Sequence, residues 1–120
     1  FYGFTKYLGE KVVKRIKNSV IIRTRFFDKN KIKYNDAAID IFSSMIDVNK
    51  LVKILYKITN ANFKGIINVG EKRESDYKKL SKLKKNLKKT NWHKIQSKNN
   101  VIISKDSSMN VSVMKRILKY

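Results

Sequence analysis

The sequence predicts an α/β fold with a mainly parallel sheet. Three observations carry that expectation. Helical and strand-like segments alternate along the 120 residues, the pattern of βαβ units. Val20, Ile21 and Ile22 are consecutive apolar residues, as in a parallel strand covered on both faces. GIINV (Gly65–Val69) repeats that β-branched character one helix later. Yet the chain starts on a helix, and two or three short strands make a poor sheet alone. The expected molecule is therefore the second half of an α/β protein, with an upstream portion missing.

Each element has its own reason. From Gly3 to about Asn18, Leu8, Val12, Val13 and Ile16 form an apolar stripe at helical spacing, with a basic last turn. SVIIRTRFF (Ser19–Phe27) reads as a strand, and the polar run Asp28–Asp36 as a loop. Ala37–Phe42 is ambiguous, and Ser43–Ile46 is a short extended piece. Asp47 then caps a helix whose apolar face is Val48, Leu51, Val52, Leu55 and Ile58, ending at Asn60–Asn62. Strand Gly65–Val69 closes on Gly70. Ser75 caps a third helix, Asp76–Leu87, with Tyr77, Leu80, Leu83 and Leu87 on one side and lysines on the other. Thr90–Asn100 is a polar loop, Val101–Ser104 a short strand, and a last helix starts at Ser108 or Asn110.

The net charge is +20, carried by 24 Lys and only 5 Arg. Such a balance suggests an anionic partner. But Lys, Asn and Ile dominate throughout, as AT-rich codons produce, and the lysines are spread out apart from one dense patch at Lys78–Lys89. Arg, the residue suited to bidentate phosphate and base contacts, is scarce. A basic nucleic-acid-binding module is thus the competing class, and composition argues against it. No stretch approaches a membrane span, and the first helix is too charged for a signal-peptide core. With no cysteine there is no disulfide framework and no thiolate chemistry, which fits a reducing, cytoplasmic setting. His93 is single, so no metal site is expected. Trp92 either covers a ligand's base or anchors its loop, and anchoring is preferred. Asp36 and Asp40 are read as a solvated pair.

The opening run FYGFTKYLGE holds the sharpest pattern. Tyr2 and Lys6 stand at i and i+4 on the predicted helix and share a face. An ammonium there favours the phenolate and lowers a tyrosine pKa from its usual value of about 10. A phenol so tuned can protonate a developing alkoxide. The plain alternative is a surface Tyr and a surface Lys whose spacing arose by chance.

YGFTKYLGE resembles the Tyr-x-x-x-Lys active-site helix of the extended short-chain dehydrogenases, in the form found in sugar-nucleotide reductases and epimerases, the dTDP-4-dehydrorhamnose reductases above all. Four later segments resemble that family in the same order: VIIRT (Val20–Thr24), SSMIDVNKLVKIL (Ser43–Leu55), GIINVGEKRESDYKKL (Gly65–Leu80) and DSSMNVSVMKRIL (Asp106–Leu118). The resemblance implies the C-terminal part of a Rossmann-type doubly wound parallel sheet plus a small substrate-binding region. Residues 1–27 would be the active-site helix and following strand, and residues 28–120 the substrate-binding region with returning core elements. It implies NAD(P)H as cofactor and a nucleotide-linked 4-keto-6-deoxy sugar as substrate, with an epimerase or dehydratase of the same superfamily as the alternative. A homodimer is compatible with it. Tyr2 and Lys6 would be catalytic and would also touch the cofactor, while Thr24 and Arg25 are substrate-binding candidates. Thr5 and Gly9 match the motif through packing. Where the family often has Ser-Trp, this chain has Arg25-Phe26. The glycine-rich phosphate turn is absent, since none of the 4 glycines forms it. These residues alone are not expected to turn over substrate.

Overall fold

The computed structural model describes residues 2–119, Tyr2 through its backbone only. The order is α1 (Tyr2–Val13), β1 (Val20–Thr24), β2 (Phe26–Phe27), β3 (Asp36–Ala38), β4 (Phe42–Ser43), β5 (Ile46–Asp47), α2 (Val48–Asn60), β6 (Gly65–Val69), β7 (Glu74–Ser75), α3 (Asp76–Ser81), β8 (Lys88–Thr90), α4 (Trp92–Ser97) and α5 (Ser112–Leu118). The fold is mixed α/β. Its strands form four separate ladders of two strands each rather than one sheet. Three are parallel, β1 with β6, β2 with β5 and β3 with β8, and β4 with β7 is antiparallel.

The longest ladder sets Val20 opposite Gly65 and Thr24 opposite Val69. The single strand expected over Ser19–Phe27 breaks at Arg25, whose carbonyl accepts from the Ile46 N–H at 3.0 Å, so its second half pairs with β5. One core cluster joins Leu51, Ile54 and Ile58 of α2, Ile67 and Val69 of β6, and Val111 and Met114, with Ile46 beneath. A smaller one joins Ala37, Met45, Leu80 and Leu87. The buried face of α2 is Leu51, Ile54 and Ile58, while Val52, expected inside, is exposed.

Other expectations shift for local reasons. α3 stops at Ser81 rather than Leu87; turns follow, and Asn86, at φ 65°, leads the chain into β8. Asn18 and Asn62 take the same left-handed conformation after α1 and α2, the role glycine usually fills at helix ends. The polar loop expected after Thr90 contains α4, capped by the Asn91 side chain. Val101–Ser104 is not a strand. Gln96 donates to the Val101 carbonyl at 3.0 Å and accepts from the Ile103 N–H at 2.7 Å, replacing a ladder partner.

The clearest departure is α1. It ends at Val13 rather than near Asn18, and of the expected stripe Leu8, Val12 and, beyond the helix, Ile16 face solvent, as does Phe4, while Val13 is half-buried.

Candidate functional site

α1 and β1 bound an open groove of about 560 Å³. Thr5, Lys6, Gly9, Glu10 and Val13 form the helix wall, and Val20 and Ile21 the strand wall. A bidentate pair holds the walls together: Arg23 donates to Glu10 through Nε at 3.0 Å and Nη2 at 2.6 Å. The Arg23 guanidinium keeps the Glu10 carboxyl below its ordinary range. Ser19 Oγ donates to the Val13 carbonyl at 3.1 Å, fixing the turn between helix and strand. Lys6 is exposed on this groove. The Tyr2 side chain, the other half of the sequence pair, lies outside the described residues. A Cβ placed at Gly3 or Gly9 would meet nothing within 4 Å, so no described neighbour demands glycine at either position.

Thr24 ends β1, and its Oγ1 is buried without a hydrogen-bond partner. An unsatisfied buried hydroxyl costs about 1–3 kcal/mol. Arg25 turns away to Asp76, 3.6 Å from its carboxylate. Ser43 Oγ also donates to Asp76, at 3.3 Å. Burial pushes the Asp76 carboxyl up, and Arg25 and Ser43 offset only part of that shift. No hydrogen bond or ion pair among the described residues links Thr24 or Arg25 to α1. β1 thus carries Arg23 to the helix and ends at Thr24, and the next residue, Arg25, reaches Asp76, which Ser43 also bonds.

Sequence reasoning did not anticipate the Ser43–Asp76–Arg25 cluster. Its members lie 18 and 33 residues apart and meet only because β4 pairs with β7 just before α3 begins. It also placed every lysine of 76–87 on the wet side. Lys79 is buried instead, 2.8 Å from Glu71 and 3.7 Å from Glu74. Lys82 takes the second oxygen of Glu74 at 2.9 Å and Lys50 that of Glu71 at 3.3 Å.

Trp92 anchors its segment: Nε1 donates to the Ile103 carbonyl at 2.7 Å and its backbone N–H to Asp40 at 2.7 Å. Asp36 lies in β3, so Asp36 and Asp40 share no helix face. His93 is exposed against the Trp92 ring. Among the described residues no group of three or more His, Asp or Glu is placed to hold a metal ion. No described helix is long and apolar enough to cross a membrane.

In comparison with known proteins, no family model matches the chain, and neither a curated protein nor a solved structure matches it.

Proposed function

We propose that these residues form the C-terminal part of an NAD(P)-dependent reductase of nucleotide-linked 4-keto-6-deoxy sugars, related to the dTDP-4-dehydrorhamnose reductases, with α1 as its active-site helix and β1–β6 as one end of a larger doubly wound sheet. The collinear motifs support this reading. The observation that carries it is the uncovered junction of α1 and β1. The Gly65 N–H donates to the Ser19 carbonyl, which sets the β6-facing register and leaves the backbone groups of Val20, Ile22 and Thr24 on an edge with no paired strand among the described residues. α1, which shares a groove with β1, carries the exposed apolar side chains of Phe4, Leu8 and Val12. The chain exposes 9061 Å², against about 6,700 Å² expected for a folded monomer of its mass. A further polypeptide layer on α1 and β1 accounts for surface of this kind.

The described residues fit one wall of a dinucleotide and sugar site. Lys6 faces an open groove, and the Thr24 hydroxyl lacks a partner. NAD(P)H, when bound, supplies the hydride. Lys6 then holds the nicotinamide ribose and favours the phenolate of Tyr2, and Tyr2 gives its hydroxyl proton to the C4 oxygen. Thr24 offers its hydroxyl to the sugar or cofactor. The phosphate-cradling glycines belong upstream.

The test is the longer protein containing these residues, assayed for NADPH oxidation with a dTDP-linked 4-keto-6-deoxyhexose. Tyr2→Phe should lower kcat by roughly 10²–10⁴-fold, the range of a general acid, with an unchanged circular dichroism spectrum. Full activity in Tyr2→Phe removes the phenol from the chemistry.

A further inference from the structure

On the opposite face of the β1–β6 ladder lies a second groove, of about 470 Å³. Ile22 packs into the core shared by α2 and α5, whereas Ile21 lines the groove beside α1, so the two grooves are separated by the ladder. Five of its eleven lining residues are lysines, against 24 of 120 in the chain. Lys50, Lys53 and Lys57 come from one side of α2, Lys72 from the turn after β6, and Lys115 from α5. The one carboxylate in the lining, Glu71, is already held by Lys79 at 2.8 Å. No carboxylate lies within ion-pair distance of Lys53, Lys57 or Lys115 among the described residues. Like charges three or four residues apart destabilise a helix, so α2 carries repulsion on this face that an anion would relieve.

We propose that this groove binds a diphosphate group. Three properties favour a small, compact anion of this kind. The volume lies within the range of small-molecule sites, about 300–1,000 Å³. The cations are ammoniums, compact point charges that neutralise phosphate without the planar fork of arginine. The lining holds no aromatic ring, so it offers no platform on which the bases of a single-stranded nucleic acid would stack. Its floor is aliphatic, with Ile54 and Met114 already buried in the core, so the groove reads charge and leaves the rest of the ligand in solvent. The turn carrying Lys72 leaves the carboxyl end of β6, the end at which open parallel sheets present ligand crevices. This site is independent of Tyr2 and Lys6.

Calorimetric titration of the 120-residue chain with inorganic pyrophosphate at fixed salt tests the proposal. The wild type should bind saturably, and its melting temperature should rise with pyrophosphate. Lys53→Glu/Lys57→Glu should weaken binding at least about tenfold. Lys14→Glu/Lys17→Glu changes the net charge equally on the far face and should weaken it less than about twofold. Should the first pair melt early, Lys53→Gln/Lys57→Gln gives the same comparison without reversed charge. Absence of saturable binding, equal loss in the two pairs, or tighter binding of a single-stranded oligonucleotide than of pyrophosphate at the same salt would each overturn the proposal.

Discussion

Lys79 shows how a charged residue comes to be buried here. Its ammonium sits between Glu71 and Glu74, and each carboxylate has a second lysine on its other oxygen. Burial pushes the Glu71 carboxyl up, but Lys79 and Lys50 outweigh it, and it titrates below its ordinary 4.5. Glu74 is lowered as well, first by its hydrogen bond from Lys82. Removing Lys79 from a buried network leaves carboxylates under-compensated, which costs about 3–5 kcal/mol in comparable sites. Lys50 and Lys82 remain, so Lys79→Met should destabilise by about 3 kcal/mol in urea unfolding at neutral pH. The pH dependence has a definite sign. Both folded pKa values lie below 4.5, so on acidification the unfolded chain takes up protons first, and the stabilisation present above about pH 5 is lost as pH falls through the folded values. The fall should be shallower in Lys79→Met, because its carboxylates titrate closer to their unfolded values. An equally steep fall in both proteins would place the acid sensitivity elsewhere.

Helix α2 owes its start to a single carboxylate. Asp47 accepts from the Asn49 N–H at 3.3 Å and from the Lys29 N–H at 3.0 Å, so one side chain caps the helix and ties down the loop after β2. Burial raises the Asp47 carboxyl, and the N–H donors of Lys29 and Asn49, together with the Lys29 charge and the Asn49 side chain, more than reverse that, leaving it lowered. Asp47→Ala should cost about 1–2 kcal/mol from the cap alone, and Asp47→Asn, which keeps an acceptor oxygen, should recover much of it. Equal melting temperatures for wild type and Asp47→Ala would refute the cap. This element was legible in the sequence, as were the Ser75 cap of α3 and every residue of β6, because local spacing and capping chemistry decide them. What was not legible depends on distant partners. Lys88–Thr90 has no strand pattern and becomes β8 only because β3 lies beside it. Val101–Ser104 has a strand pattern and fails because Gln96 occupies its backbone groups. Gly70 is legible as a strand end, but its reason is tertiary: a Cβ there would come within 2.5 Å of the Ser44 carbonyl.

For the whole molecule the decisive quantity is surface. The radius of gyration is 16.0 Å, against about 14 Å for a compact chain of this length. The chain also exposes about a third more area than its mass predicts. Part of the excess lies on α1, a helix of 12 residues with Phe4, Leu8 and Val12 in solvent, and Tyr56, Val101 and Ile102 are exposed elsewhere. The Tyr-x-x-x-Lys spacing is a local pattern that the sequence displays by itself, and the Tyr2 side chain lies outside the described residues. The orphaned Thr24 hydroxyl and the lysine groove were not legible, since they require strands and helices to converge, and lysine is too common in this chain to mark a place. An isolated helix shorter than about 12–15 residues is marginal in water, and the Arg23–Glu10 pair and the Ser19 turn that join α1 to β1 are exposed or half-buried. Amide exchange of the 120-residue chain should therefore find Thr5–Val13 nearly unprotected while Ile67 and Val69, at the centre of the larger core, exchange slowest. In a longer protein of the proposed kind, the α1 amides and those of Val20, Ile22 and Thr24 should gain protection together, because an added strand would cover that edge. Protection of α1 equal to that of β6 in the 120-residue chain would show that the helix is already stably packed and needs no further layer on this face.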